Sequence, residues 1–466
     1  MSHESLPGMV APPEVYRQRR AKLAAALTRP LVIFAGHAPA RNYPANTHPF
    51  RAGSTYLYFG GPPLEHAAWL IEPGSDGDAG CTLLRGVQTP DDAVWMGLQP
   101  DDDVLASAAG VDRQRLATPD KLAALLAGRA AACIAPPALQ TLDTVRQLGL
   151  HEATPVELLA VVQQRLIKDE HELAAMRRAA RVSVEGHRAA LAAARPGQRE
   201  SAVAAAYHAV LVASDCQPSF TPIITVRGEV LHSQAYVNAL DPGALLLIDA
   251  GAEEPGGYAS DITRTVPVGG KWSRIQRPLY DTVARACREA VAACVPGRRY
   301  RDVHDLAARV ICEGLVEAGL LRGEPAELLE RRAHTLFFTH GVGHLIGLDV
   351  HDMEDFGDLA GYAPGRTRRP GFGDKFLRMD RDLAPGMCVT IEPGLYLTPA
   401  VWACDELVRP LVDVVNRSKV DRLLADRFGG IRVEQTICVR DAAGPEVLTG
   451  DLPTDAGEIA RLVGRP

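Results

Sequence analysis

Leu245-Leu-Leu-Ile-Asp249-Ala-Gly is an apolar run that ends in a carboxylate, and twelve residues after Asp249 a second carboxylate, Asp261, opens Asp-Ile-Thr-Arg-Thr-Val. A glycine-containing connection, Gly251 to Gly257, separates the two runs. A hairpin over it would bring both Asp side chains to the same end of a strand pair. An Asp that finishes an aliphatic run is costly to bury unless positive charge sits on it. Taken singly, each also reads as a turn-capping residue at a strand end.

Thr339-His340-Gly-Val-Gly-His344-Leu-Ile-Gly-Leu-Asp-Val-His351-Asp352 places three His within twelve residues, threaded by three Gly. The glycines allow tight turns or close approach of the backbone to a ligand. Neutral imidazole is the commonest protein metal ligand and a general acid or base near neutral pH. Two glutamates follow in strand-like surroundings, Glu392 in Thr-Ile-Glu-Pro-Gly-Leu-Tyr396 and Glu434 in Gly430-Ile-Arg432-Val-Glu434-Gln. A period of two puts Arg432 and Glu434 on one face; in isolation they read as a surface ion pair. Two Asp, two Glu and one His offer five ligands carrying four negative charges, which two divalent cations would balance and an empty site would force together. Paired metals can share a bridging water or hydroxide and so generate a nucleophile at neutral pH. The oxygen-rich set suits Mn²⁺ first and also admits Co²⁺ or Zn²⁺, whereas structural zinc prefers Cys and His.

The elements that must position these residues follow from pattern. From Leu166–Glu172 onward, Ile-Lys-Asp-Glu-His-Glu-Leu opens a long helix to about Ala194, closed by Arg-Pro-Gly. Further helices are expected over Glu200–Ser214, Arg277–Val295 and Tyr300–Ala318. Strands are expected at Pro222–Val226, Leu245–Asp249, Asp261–Val268, Cys388–Glu392 and Ile431–Val439. This mixture predicts an α+β catalytic domain, residues 167–466, with helices covering one face of a curved sheet. Residues 1–166 read as an α/β N-terminal domain. Its helices are expected over Val15–Leu27, Pro119–Ala127 (N-capped by Thr118) and Thr141–Leu148. Its strand-like runs are Leu31–Phe34, Tyr56–Phe59, Ala68–Ile71 and Cys81–Leu84. Met353–Leu383 and Thr398–Gly430 are long polar excursions, a length that is usually functional or peripheral.

With 50 Lys+Arg against 57 Asp+Glu the net charge is −7, so nothing pulls the chain toward nucleic acid or anionic lipid. No apolar run approaches the roughly 20 residues of a membrane helix, and Met1–Pro13 lacks the pattern of a secretory signal. Nine Cys without a two-residue spacing read as reduced, mostly buried thiols of a cytoplasmic protein.

In this order and context, Asp249, Asp261, His344, Glu392 and Glu434 resemble the five metal ligands of the pita-bread metallopeptidases. Within them the chain resembles the proline-specific branch, Xaa-Pro aminopeptidase (aminopeptidase P) and Xaa-Pro dipeptidase (prolidase). Tyr16-Arg-x-Arg-Arg, and Pro49-Phe-Arg51 through Tyr56-Leu-Tyr-Phe-Gly, are similar to the aminopeptidase P N-terminal domain. The resemblance implies that Asp249 binds one metal, that Asp261 and Glu434 bridge both, and that His344 and Glu392 hold the other. It implies His351 at the scissile carbonyl, His232 near the leaving proline nitrogen, and His340 in the proline pocket. Glu392 becomes the proton shuttle, and Arg432 a partner that orients Glu434. Arg378 matches an arginine that in prolidase-like members grips the substrate carboxylate.

The expected reaction is release of the N-terminal residue from peptides with proline second, by attack of a metal-bridging hydroxide. A dipeptide-restricted prolidase is the alternative, and a non-catalytic pita-bread binding protein or a metal-free creatinase-like enzyme are minor ones. The partners implied are a peptide with an Xaa-Pro N-terminus and further copies of the chain, as a dimer or tetramer; no nucleic acid or membrane is expected. Three departures bear on the pocket: Ser233-Gln-Ala after His232 in place of an aromatic, an Asp249–Asp261 spacing one residue longer than in short-hairpin members, and Gln435 where an acid is common.

Overall fold

The computed structural model describes residues 6–75 and 80–465, so the first five residues of the polar start lie outside the described residues. The chain divides into two compact units, Met1–Arg165 and Leu166–Pro466. In the first, strands pair in the order Leu116–Ala117, Cys81–Leu84, Ala68–Ile71, Leu31–Phe34, Ala132–Ile134, His151–Glu152. The inner runs pair antiparallel and the outer ones add in parallel. All four residues of Leu31–Phe34 are buried, as befits a continuous apolar run covered on both faces.

The aromatic run at 56–59 is not a strand but part of a short helix, Ser54–Tyr58. The carbonyls of Tyr58 and Phe59 accept from the buried guanidinium groups of Arg19 and Arg20 at 2.9 and 2.8 Å. Tertiary contacts of this kind override β-propensity. The Pro119–Ala127 helix begins as a 3-10 turn, Pro119–Lys121, and continues as Leu122–Leu126. The Thr118 hydroxyl turns to the Asp120 carboxylate instead of capping the backbone.

The second unit opens with helix Glu170–Ala193, whose start carries a capping box between Asp169 and Glu172. Leu173, Met176, Ala180, Val184 and Leu191 form its buried face at helical spacing. This helix packs on Glu200–Ala213, and Gln276–Ala292 packs on Tyr300–Glu317. Gln276–Ala292 also crosses the strands Cys388–Ile391, Gly394–Tyr396, Gly430–Arg432 and Gln435–Asp441. Helices thus cover these sheets.

Leu245–Ala250 lies between Ile223–Thr225 and Ile262–Pro267, antiparallel to both. Thr263 faces Asp249 and Ile262 faces Ala250, which leaves Asp261 one residue beyond the ladder at the Asp249 end. The connection folds a small ladder of its own, Ala252–Glu253 on Gln217–Pro218. Gly251 stands at its base, where a Cβ would meet the Ser260 carbonyl at 1.9 Å. The run expected as one strand over 431–439 is two. Gly430–Arg432 pairs with Gly394–Tyr396, whereas Gln435–Asp441 pairs with Cys388–Ile391 and Gly444–Val447. Val433 and Glu434 form the joint between them.

Lys168 and Asp352 make an ion pair of 2.7 Å, each side chain 1% exposed. It ties the chain just before the first long helix to the residue after His351. Removing one partner of a buried pair leaves a charge without its counterion. Lys168→Met is expected to lower unfolding free energy by about 3–5 kcal/mol. This would be read as a lower urea midpoint at constant slope; an unshifted midpoint would mean that the pair contributes nothing net.

Candidate metal centre and active-site cavity

The residues singled out above converge on one cavity of about 680 Å³ in the second unit. His232, Asp249, Asp261, His340, His344, His351, Arg378, Glu392, Arg432 and Glu434 all line it. At its base Asp261, His344 and Glu434 offer ligand atoms that lie within 4.8 Å of one another. His344 Nε2 is 3.6 Å from Asp261 Oδ2 and 3.5 Å from Glu392 Oε1. Its Nδ1 lies 2.9 Å from the Leu345 carbonyl. Donation there fixes the tautomer and leaves the Nε2 lone pair facing the carboxylates.

The His segment runs beside strand Cys388–Ile391. Thr390 N donates to His344 O at 2.9 Å, His344 N to Thr390 Oγ1 at 3.0 Å, and Glu392 N to Val342 O at 2.7 Å. Gly343 is required for this approach, since a Cβ would fall 2.2 Å from the Thr390 carbonyl. Glu434 is seated by groups the motifs did not announce. Its backbone N–H donates to Thr263 O at 3.1 Å, and its Oε2 accepts from Thr263 Oγ1 at 2.7 Å. The fully buried Arg264 donates to the Glu434 carbonyl at 2.6 Å and to the Leu452 and Pro453 carbonyls. Thr263 lies two residues after Asp261, so strand alternation was the signal that could have found it.

Arg432 pairs with Asp249, not with Glu434 directly. Its Nε donates to Thr263 Oγ1 at 3.0 Å, through which it reaches Glu434, and its Nη1 donates to the Tyr396 hydroxyl at 2.9 Å. The same hydroxyl lies 2.8 Å from His340 Nε2, and His340 Nδ1 lies 2.7 Å from the Gly341 carbonyl. Burial lowers the His340 pKa to about 3. The neutral ring therefore donates through Nδ1 and accepts through Nε2. His340 is a fixed wall with both nitrogens engaged. His351 stacks edge-on against His344, ring centroids 4.4 Å apart, and its Nδ1 lies 3.5 Å from Glu354 Oε2. Arg378 pairs with Glu354. His232 is exposed on the loop after Ile223–Thr225.

One guanidinium cannot neutralise four carboxylates. Burial, with the Asp261 and Asp249 charges adding, pushes the Glu392 carboxyl up to about 7, against the pull of His344 and Arg432. Burial and Asp249 raise Asp261; burial and the neighbouring carboxylates raise Glu434. Asp249 Oδ1, Asp261 Oδ1 and Glu434 Oε1 are buried without a hydrogen-bond partner among the described residues. Orphaned acceptors beside an open imidazole nitrogen match what divalent cations require of a protein.

Two other His–carboxylate groups occur among the described residues. In His304, His334 and Asp374 the carboxylate already pairs with Arg332. In His37, Glu65 and His66 it accepts from Ala38 N at 3.0 Å, and His66 is exposed.

Residues 174–441 match the model of metallopeptidase family M24, and residues 16–133 match that of the aminopeptidase P N-terminal domain. The chain is 31% identical over 431 residues to the "Probable Xaa-Pro aminopeptidase" of Neosartorya fischeri, covering 89% of this chain and 88% of that one. It is 30% identical over 427 residues to that of Verticillium alfalfae, with the same coverage of each. Among solved structures it resembles zinc-substituted aminopeptidase P of E. coli in complex with product, with a TM-score of 0.79 and 26% identity over 97% of this chain and 98% of that one. Proline aminopeptidase P II of Yersinia pestis gives a TM-score of 0.78 and 28% identity over 97% and 99%.

The raised carboxyls set a pH dependence. Above its ordinary 4.5 an unfolded Glu392 has lost its proton, whereas the folded metal-free protein keeps it up to about 7. The folded state then binds more protons, so stability falls as pH rises through that window. Cations that take the place of those protons should raise Tm more at about pH 7 than at about pH 5. Melts of chelator-treated protein with and without Mn²⁺ check this; an equal rise at both pH values would remove carboxylate crowding as its cause.

Proposed function

Because the chain belongs to metallopeptidase family M24, we propose that its buried carboxylates and imidazole hold two divalent cations and cleave the bond preceding a proline. The protein is an Xaa-Pro aminopeptidase, a metallo-exopeptidase releasing the residue before a second-position proline; a prolidase restricted to dipeptides is the less favoured reading. The observation that carries the metal assignment is the meeting of orphaned oxygens of Asp261 and Glu434 with the free face of His344, in a cavity that the orphaned Asp249 also lines.

Asp249 would hold one cation, His344 and Glu392 the other, and Asp261 and Glu434 both. The oxygen-rich donor set favours Mn²⁺ and admits Co²⁺ or Zn²⁺. The cations supply Lewis acidity and a solvent nucleophile at neutral pH. The protein's own groups do the rest. Glu392, which lines the cavity with a partly exposed side chain, would carry a proton from solvent to the departing nitrogen. His351, stacked on His344 and facing the cavity, donates to the oxygen that develops charge. His232, which lines the same cavity, would face the side where the proline nitrogen leaves. A prolyl amide has no N–H, so the pocket must hold the ring by shape; the immobile His340, anchored through Tyr396 to Arg432, provides one wall of it.

No helix among the described residues is long and apolar enough to cross a membrane. Eight of the nine cysteines are buried, which suits a reducing cytoplasm. The resemblance to aminopeptidase P supports a dimer or tetramer, which sedimentation would read directly.

Asp261→Ala or Glu434→Ala should abolish turnover and lower bound metal from about two ions per chain, counted by elemental analysis. A variant that kept both ions and near-normal turnover would overturn the ligand assignment. His351→Ala should lower kcat by roughly 10²–10³ with metal content unchanged; an unaffected kcat would remove it from the reaction.

A further inference from the structure

We propose that Glu354 sets the length of peptide the site accepts, by occupying the guanidinium of Arg378 and keeping a proline carboxylate away from it. The inference rests on the aminopeptidase reading and extends it to the far end of the cleft. Two arginines line the cavity, Arg378 and Arg432. Arg432 is buried and committed to Asp249, Thr263 and Tyr396. Arg378 is the accessible one, its side chain 37% exposed. A substrate carboxylate entering the cavity therefore has Arg378 as its cationic partner.

Glu354 reaches the same guanidinium from a small adjoining pocket that it lines together with Arg378. Met353 adopts a left-handed conformation (φ 61°), which turns the chain straight after His351-Asp352 into the short 3-10 turn Glu354–Phe356. Glu354 N donates to the His351 carbonyl at 3.3 Å. The folded-back side chain places Oε2 against Arg378 and 3.5 Å from His351 Nδ1. The neighbouring cation, Arg368, is engaged by Asp358 and by the Lys375 and Leu377 carbonyls, so it does not draw Glu354 away.

One carboxylate, behind the cavity wall in the adjoining pocket, thus touches both the imidazole assigned to the scissile carbonyl and the guanidinium beyond it. In a dipeptide the terminal carboxylate lies about one residue, roughly 3.8 Å, from the bond to be cut. It would meet Glu354 as a like charge and find Arg378 taken. In a longer peptide an uncharged amide occupies that place, and the carboxylate lies farther out. The contact works against one class of substrate as much as it works for another.

The test compares metal-saturated wild type, Glu354→Gln and the double variant Glu354→Gln/Arg378→Met on three substrates: an Xaa-Pro dipeptide, the same dipeptide with its C-terminus amidated, and an Xaa-Pro-Xaa tripeptide. Wild type should favour the amide and tripeptide over the free acid. Glu354→Gln should raise kcat/KM for the acid by about tenfold, mainly through KM, while amide and tripeptide change by less than about twofold. The double variant should lose that gain, because it acts through Arg378. Any effect of Glu354 on His351 alters all three substrates alike and cancels in the acid-to-amide ratio. Activity with an unmoved ratio, or a gain that survives loss of Arg378, overturns the proposal alone. No turnover of any of the three would sink the aminopeptidase reading and this proposal with it.

Discussion

Crowding of negative charge is the constraint around which the catalytic unit is built. Asp249, Asp261, Glu392 and Glu434 all face one cavity, with Arg432 as the buried guanidinium among them. Such a group is unstable as four anions, and the protein has two ways out: to hold protons, as the raised carboxyls do, or to hold cations. Both call for the same rigid placement. A loose site would relax by letting side chains swing to solvent.

Rigidity comes from groups that touch no substrate. Thr263 donates to Glu434 and accepts from Arg432, Arg264 fastens the carbonyls around Glu434, and Tyr396 relays Arg432 to His340. The Thr263 hydroxyl, the Arg432 guanidinium and both nitrogens of His340 all meet partners in this web, which favours one arrangement over its neighbours. The absence of a side chain at Gly343 lets the histidine segment run close to strand Cys388–Ile391, so His344 and Glu392 are set by one another's backbones.

Much of this was legible in the sequence because chemistry-bearing residues interrupt apolar patterns. Asp249 after four aliphatics and three His among glycines announce themselves by being poor packing choices. The helices and most strands followed from periodicity to within a few residues. What stayed hidden depends on contacts across the chain. Tyr56–Phe59 reads as a strand until the carbonyls of Tyr58 and Phe59 are claimed by Arg19 and Arg20. Arg264 looks like any strand arginine, although it is fully buried. Arg432 reads as the partner of Glu434 by alternation, whereas the strand break leaves it facing Asp249. Glu354 follows a histidine motif with nothing in its own type to mark it, and its place depends on a left-handed Met353.

The joint at Val433–Glu434 belongs to neither of the ladders it connects. Cations bound to Glu434, to Asp249 on one sheet and Asp261 just beyond its ladder, and to Glu392 past the end of another strand would therefore act as a rivet through the seam. Their departure would be felt as a loosening of the whole fold rather than as a vacancy in one corner, and protease sensitivity would rise along that seam before any helix melted.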